Sequence, residues 1–428
     1  MVTGARTGAN MAIESDVLVI GGGLAGLTAA LGARQEGSYV RLLSYKQSTL
    51  RNASGLIDVL GYTPDGDGPL TEPYAAIPDL PEEHPYRTVG VQRVRDAMAV
   101  FDESMPAYRG DHTEQNALVT THTGTVKPTA RYPASMESAL ASDDREMLLV
   151  GFESLVDFDA ALAAATLENT GVPFDVRGVT VAFPGDLRAD AKITRYAKLL
   201  ESDPETRKQL ATAVRPHLDG ASRVGFPAVL GDSQTERVRR ELADELGTAV
   251  FEVPMSPPSL PGIRLEEHLF SALSDAGASI ETGNPVVDYD ESSRSGYIEC
   301  VYVEKNGAKI PYRAAEYVLA TGGLVGKGLN SNREQVYEPI FDCPVQSNEN
   351  RYDWFDDAVF GDHPFARFGV HTDETLRPVD ADGTVVFENL RAAGSVLGGY
   401  DFAAEKSGSG VSIATGYMAG THATQEAR

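Results

Sequence analysis

The chain has 428 residues, 42% hydrophobic and 23% charged, and only two are cysteines, Cys300 and Cys343. That is globular composition, long enough for two or three domains or one large α/β unit, and it excludes both a disulfide scaffold and a four-cysteine zinc or iron–sulfur site within the chain. With 37 Lys+Arg against 62 Asp+Glu the net charge is −25, which excludes nucleic-acid binding through a general basic surface. Met1–Asn10 is small and polar, lacks the apolar core of a signal peptide, and reads as a disordered extension. Residues 16–20 read as a buried parallel strand, 27–36 as a helix stopped by Gly37, and 39–43 as a second strand, which makes a βαβ unit. The Pro-, Gly- and Asp-rich stretch 61–86 reads as a long loop. Helices are expected at 91–104, 157–169, 191–202, 204–213 and 234–246, with strands at 117–121, 147–152, 179–183 and 249–253. The Pro-rich 254–262 is a rigid connection, followed by a helix at 264–276 and strands near 278–288, 297–304 and 310–319. A helix of small residues closes the pattern at 411–419. No run of about 18–20 apolar residues occurs, so no membrane-spanning helix is expected.

The sharpest local signal is Gly21-x-Gly23-x-x-Gly26, placed after a strand and opening a helix. The first glycine permits the tight turn, the second lets backbone approach a phosphate, and the third lets helix and strand pack closely. The free N–H groups and positive dipole end of the helix then favour an anion. An acidic residue that would bind an adenosine ribose is expected at the end of the second strand, but that strand ends Leu43-Ser44-Tyr45-Lys46, with Ser44 at the acid's place. The missing acid weakens an ordinary NAD or FAD assignment and favours FMN, whose single phosphate could sit on the same helix terminus.

Three glycine clusters near the other end of the chain separate nicotinamide from flavin. They are Ala320-Thr321-Gly322-Gly323, Ala393-Gly394-Ser395-Val396-Leu397-Gly398-Gly399 and Gly408-Ser409-Gly410. Together with the first loop they resemble the flavin-contacting segments of two-dinucleotide-binding flavoproteins. Within that superfamily the chain resembles the family of the B subunit of anaerobic glycerol-3-phosphate dehydrogenase. Residues 22–27 with the acid-free strand end, Ser54-Gly55-Leu56-Ile57-Asp58-Val59-Leu60 and Pro258-Ser259-Leu260-Pro261-Gly262-Ile263-Arg264-Leu265 carry that resemblance, which covers nearly the whole length after Met11.

The resemblance implies an α/β fold: a Rossmann-like flavin-binding domain of the FAD/NAD(P) type with an inserted α+β cap or substrate domain. The expected divisions are 11–87 and 251–428 for the flavin domain and 88–250 for the insert. It implies a flavin, FMN with FAD as the alternative, held by Gly21, Gly23, Gly26, Ser44, Ser54, Gly55, Gly322, Gly323, Gly394, Gly398, Gly399 and Gly410. It also implies oxidation of glycerol 3-phosphate to dihydroxyacetone phosphate in glycerol catabolism and anaerobic respiration. The implied partners are a catalytic A subunit, and an iron–sulfur C subunit that links the complex to the membrane and to quinones. A cytoplasmic setting follows, peripheral to the membrane through a partner, and the acidic excess points to a halophilic archaeon. Two alternatives stand beside this reading, a fumarate-reductase-like FAD dehydrogenase and a non-catalytic electron-transfer or scaffold subunit.

Alcohol oxidation needs a base, and a phosphate substrate needs a cation. Arg367 and His371, just before the last flavin segment, are the catalytic candidates. Arg264 and His268 share a helix face at i, i+4 spacing and are a weaker pair. No metal site is expected. Cys343 reads as a small buried residue, and Trp354 with Tyr352, Phe355 and Phe360 reads as packing.

Overall fold

The computed structural model describes residues 12–185, 187–188 and 191–427. The expected 1–10 extension lies outside the described residues. The chain divides into two compact units, the first made of residues 1–49, 76–104 and 269–428 and the second of 50–75 and 105–268.

The first unit is built on β1 (Ile13–Ile20), α1 (Leu24–Gln35) and β2 (Val40–Ser44), the βαβ start that the sequence predicts. Around them lie α2 (Val91–Ser104), β3 (Ser279–Thr282), β4 (Val286–Glu291), β5 (Ile298–Lys305), β6 (Ala308–Leu319), β7 (Leu390–Ala392) and α3 (Gly408–Ala427). The sheet runs β3-β2-β1-β6-β5-β4. The long β6 pairs antiparallel with β5 along its first half and parallel with β7 at its end. Val17, Leu18 and Val19 have no exposed surface, because a central parallel strand is covered on both faces.

Helix α1 is buried at every residue from Leu24 to Ala33. Its small residues allow α3 to lie directly on it. A Cβ at Gly416 would fall 2.3 Å from the Ala25 carbonyl oxygen, and one at Gly420 would fall 2.0 Å from that of Ala29. Backbone-to-backbone approach of this kind is available only to glycine.

The second unit holds a four-stranded, all-parallel sheet in the order Ala249–Val253, Arg223–Pro227, Met147–Phe152, Val176–Val181. Its core gathers residues such as Leu149, Phe226, Phe251, Leu242 and Tyr196, all without exposed surface. Sequence pattern misses Arg223–Pro227, which is buried at all five positions. Gly225 is obligatory there, since the Phe251 ring would lie 2.5 Å from its Cβ. Arg223 is buried by donating to the carbonyls of Arg145, Ser138, Leu140 and Asp143.

The unit boundaries differ from those expected at 88 and 250. Residues 50–75 and 251–268 belong to the second unit. Helix α2 belongs to the first, where it packs against α3 and buries Val94, Ala97, Met98 and Phe101. Among the described residues no helix is long and apolar enough to cross a membrane.

Candidate functional site

The glycine loop between β1 and α1 makes three different uses of a missing Cβ. Gly21 has φ +124° and lies so close to β6 that a Cβ would fall 2.1 Å from the Ala320 carbonyl oxygen. A Cβ on Gly26 would fall 1.9 Å from the Gly21 carbonyl oxygen, so this glycine lets helix and strand meet. Gly23 differs: no protein atom lies within 4 Å of where its Cβ would be. It is also the N-cap of α1, with no side-chain cap and no acid in the first turn. Bare N–H groups, the positive helix end and open space together suit a phosphate.

The later glycine clusters arrive at the same place. Gly323 N–H donates to Ser395 Oγ at 3.2 Å, and a Cβ on Gly323 would fall 2.4 Å from the Ser395 carbonyl oxygen. Gly394 has φ +78°, donates its N–H to Thr415 Oγ1 at 2.9 Å, and would set a Cβ 2.5 Å from that of Ala25. Gly322, at φ +90°, would set a Cβ 3.7 Å from Ser395 Oγ, and Gly410 is buried in the first turn of α3. The first loop, the end of β6 and the segment before α3 therefore form one glycine-lined cradle around the start of α1.

A family model described as an FAD binding domain matches residues 16–411. The chain belongs to this family. A Halobacterium salinarum protein named as a probable B subunit of anaerobic glycerol-3-phosphate dehydrogenase is 67% identical over 424 residues, spanning 97% of this chain and 99% of the relative. A Yersinia enterocolitica protein named as the B subunit of the same dehydrogenase is 31% identical, spanning 94% of this chain and 96% of the relative. The chain therefore belongs to the B-subunit family as well. The solved structures are more distant. A 3-ketosteroid delta1-dehydrogenase from Sterolibacterium denitrificans is 11% identical at TM-score 0.43, spanning 97% of this chain and 100% of that one.

Members of the FAD-binding-domain family carry a flavin, and the cradle fits its phosphate end. Ser44 ends β2 and is buried beneath the loop, donating from Oγ to the Lys46 carbonyl oxygen at 3.3 Å. A Cβ on Gly22 would fall 2.3 Å from this Oγ, so the serine occupies space that the glycine leaves. No carboxylate stands at the strand end. Gly398 and Gly399 lie farther along the same segment, with Gly398 N–H donating to the Val370 carbonyl oxygen at 3.2 Å and Gly399 N–H to that of Arg367 at 3.0 Å.

Ser54 and Gly55 lie in the second unit. There Gly55, at φ +79°, abuts Pro261, while a Cβ on Gly262 would meet the carbonyl oxygens of Leu50 and Ala53, each at 2.4 Å. The segments 54–60 and 258–265, which carry the family resemblance, thus pack on each other. Arg264 is spent there: it grips Glu252 at 2.7 and 3.0 Å, and Glu252 also accepts from Ser135 Oγ and Leu230 N–H. It is a structural hub, and its expected partner His268 is exposed on the next turn.

The two catalytic candidates separate. Arg367 makes a two-pronged ion pair with Asp362 at 2.7 and 2.8 Å, which raises its pKa and commits its guanidinium to its own loop. His371 is different. Burial holds its pKa below the ordinary histidine value, against the pull of Glu83, and its Nε2 is a buried atom with no hydrogen-bond partner. Among the described residues of the first unit, Thr321 Oγ1 and Tyr400 Oη share that state, as do Ser15 Oγ and the Nε atoms of Arg41 and Arg391. Tyr400 is 2% exposed, and burial raises its pKa strongly. Buried polar atoms without partners mark positions that a ligand or water completes.

Sequence reasoning misses Thr321 and Tyr400, although Thr321 lies inside the second glycine cluster and Tyr400 directly follows Gly399. It also misses fully buried His84, for which no signal exists. His84 Nδ1 accepts from Tyr86 N–H, so Nε2 holds the proton and donates to Glu405 at 3.1 Å. Its ring lies edge-on to Tyr400, 5.6 Å between centroids. Cys343 is buried, as expected, and burial raises its pKa. The aromatic stretch departs from expectation: Tyr352, Phe355 and Phe360 are exposed, and only Trp354 packs, edge-on to Phe368.

Proposed function

We propose that this chain is the flavin-bearing B subunit of an anaerobic glycerol-3-phosphate dehydrogenase that oxidises sn-glycerol 3-phosphate to dihydroxyacetone phosphate. The observation that carries the reading is 67% identity over 97% of the chain to the Halobacterium relative, a protein named as that subunit. The open space over Gly23 at an uncapped helix terminus supports it. A bound flavin supplies an acceptor for the hydride leaving the secondary alcohol carbon. The hydroxyl proton needs a base, and neutral His371, with a free Nε2, is the candidate on this chain. The paired state of Arg367 argues against its binding the substrate phosphate. Electrons must then leave, and two buried cysteines supply no cluster of four thiolate ligands. A catalytic A subunit and an iron–sulfur C subunit, the latter giving peripheral attachment to the membrane, are the proposed partners.

The absent carboxylate at the end of β2 supports FMN, and the family match supports FAD as the second reading. Denaturing the purified chain and separating the released flavin decides between them. FMN is expected, and stoichiometric FAD would replace it. Co-production with the partner subunits tests the reaction through dye reduction dependent on glycerol 3-phosphate. The multi-subunit reading fails if the chain alone reduces a quinone analogue with this substrate at ordinary enzymatic turnover, of order 1–10³ per second.

A further inference from the structure

One loop of the first unit puts apolar side chains where the rest of this acidic surface would favour carboxylates. Between Trp354 and Phe365 the chain makes an excursion whose ends are tied by Phe365 N–H donating to the Trp354 carbonyl oxygen at 2.9 Å. His363 holds the excursion from inside. Its Nδ1 accepts from Asp356 N–H at 3.1 Å, so Nε2 carries the proton and donates to the Val359 carbonyl oxygen, also at 3.1 Å. The Trp354 indole N–H donates to the Asn348 carbonyl oxygen at 2.6 Å, and the Arg367–Asp362 ion pair closes the far side.

This tied frame holds its apolar groups outward. Phe360 is 100% exposed, Val359 81%, Tyr352 74% and Phe355 51%. A loop needed only as a connection would gain nothing from such side chains, and grouped apolar exposure marks an interaction site. Aromatic groups on a preorganised backbone are the usual anchors of protein–protein interfaces, because little ordering cost remains at binding. Exposed Asp353, Asp356 and Asp357 are interspersed with these side chains along the loop, so a complementary surface combines apolar and basic groups. The loop also ends on the flavin segment, through the bonds of Gly399 N–H to Arg367 and of Gly398 N–H to Val370.

We infer that the 352–365 loop is the docking knob for the electron-accepting partner chain of the dehydrogenase, whose matching site combines an apolar socket with Lys or Arg. The inference rests on the proposed reading of the chain as a B subunit. The test uses the full chain produced with its partner subunits in molar salt, comparing wild type with Val359→Ser/Phe360→Ser. Flavin content and circular dichroism should be unchanged, while the dissociation constant for the electron-accepting subunit rises roughly 30-fold or more, as for an interface hot spot. Phe360→Ser alone, at a side chain open to solvent on all sides, guards against a folding artefact and should give most of the loss. Asp353→Lys/Asp357→Lys should weaken association more at the lowest salt that keeps the chain folded than at molar salt. Unchanged affinity in a folded, flavin-loaded double variant overturns the inference. So does an effect confined to self-association of this chain or to its binding of the catalytic partner. Failure of the wild-type complex to oxidise glycerol 3-phosphate would sink the B-subunit reading instead, and that result is seen without any variant.

Discussion

Gly23 and Gly26 stand three residues apart and should respond to the same substitution in opposite ways. At Gly23 φ is −83° and nothing lies within 4 Å of where a side chain's first carbon would sit, so valine is tolerated by the protein and intrudes only on the ligand's space. Gly23→Val should abolish flavin binding while circular dichroism stays native, whereas Gly26→Val meets backbone at 1.9 Å and should fail to fold. Retained flavin in a folded Gly23→Val chain would show that the loop does not hold the cofactor. His371 makes a prediction in pH. Burial lowers its pKa, so the ring is neutral at pH 7 and becomes protonated only below the ordinary value of about 6.5. If its Nε2 takes the alcohol proton, kcat of the assembled enzyme falls as pH drops through that lowered pKa. His371→Gln should remove this acidic limb and reduce kcat by about 10²–10⁴-fold. A variant that keeps both the limb and the rate would assign the base elsewhere.

The α1–α3 contact shows what a run of small residues accomplishes at the level of elements. Gly420→Val would press a branched side chain into the Ala29 carbonyl from 2.0 Å, and should cost about 1–3 kcal/mol or more. Thermal denaturation measures it, and an unaltered Tm would mean that α3 is free to slide. Because α3 also positions Thr415 against Gly394, flavin affinity should fall with stability. Much of this was legible beforehand. The βαβ start, the strands at 147–152 and 249–253 and the helices 193–202, 204–214 and 235–246 all follow from periodicity and punctuation. What escaped has physical causes. Arg223–Pro227 carries a glycine, a proline and a buried arginine, none of which reads as a central strand, because ring packing and four carbonyl acceptors explain them only in three dimensions. The site divides similarly. Glycines that must touch backbone are visible as motifs, but the free state of His371 Nε2 and the paired state of Arg367 depend on neighbours that spacing does not reveal. The 352–360 aromatics misled for the same reason: composition cannot tell a packed ring from a displayed one.

At the scale of the whole molecule the excess of acid dominates. A net charge of −25 repels itself, and the range of that repulsion grows from about 3 Å in molar salt to about 30 Å at 0.01 M. The isolated chain should lose its circular dichroism signal as salt is lowered from molar to tens of millimolar. Salt-independent stability would reduce the acidity to a solubility feature. The order of strands in the first unit carries a consequence in time. β1 and β2 pair with each other, but Ser44 on β2 is in register with Thr282 on β3, and Ile20 on β1 with Leu319 on β6, so the outer sheet neighbours of this pair are made only after the whole of 105–268. At synthesis rates of about 5–20 residues per second that is a wait of some tens of seconds. Throughout it, Val17 to Ile20 and Leu42 pair only with each other's strand, without outer neighbours and without α3 above them, and by its end the second unit has its complete sequence. The βαβ start is therefore synthesised before most of the second unit yet completes its sheet after it, and its glycine loop takes shape only when the chain that closes over it has been made.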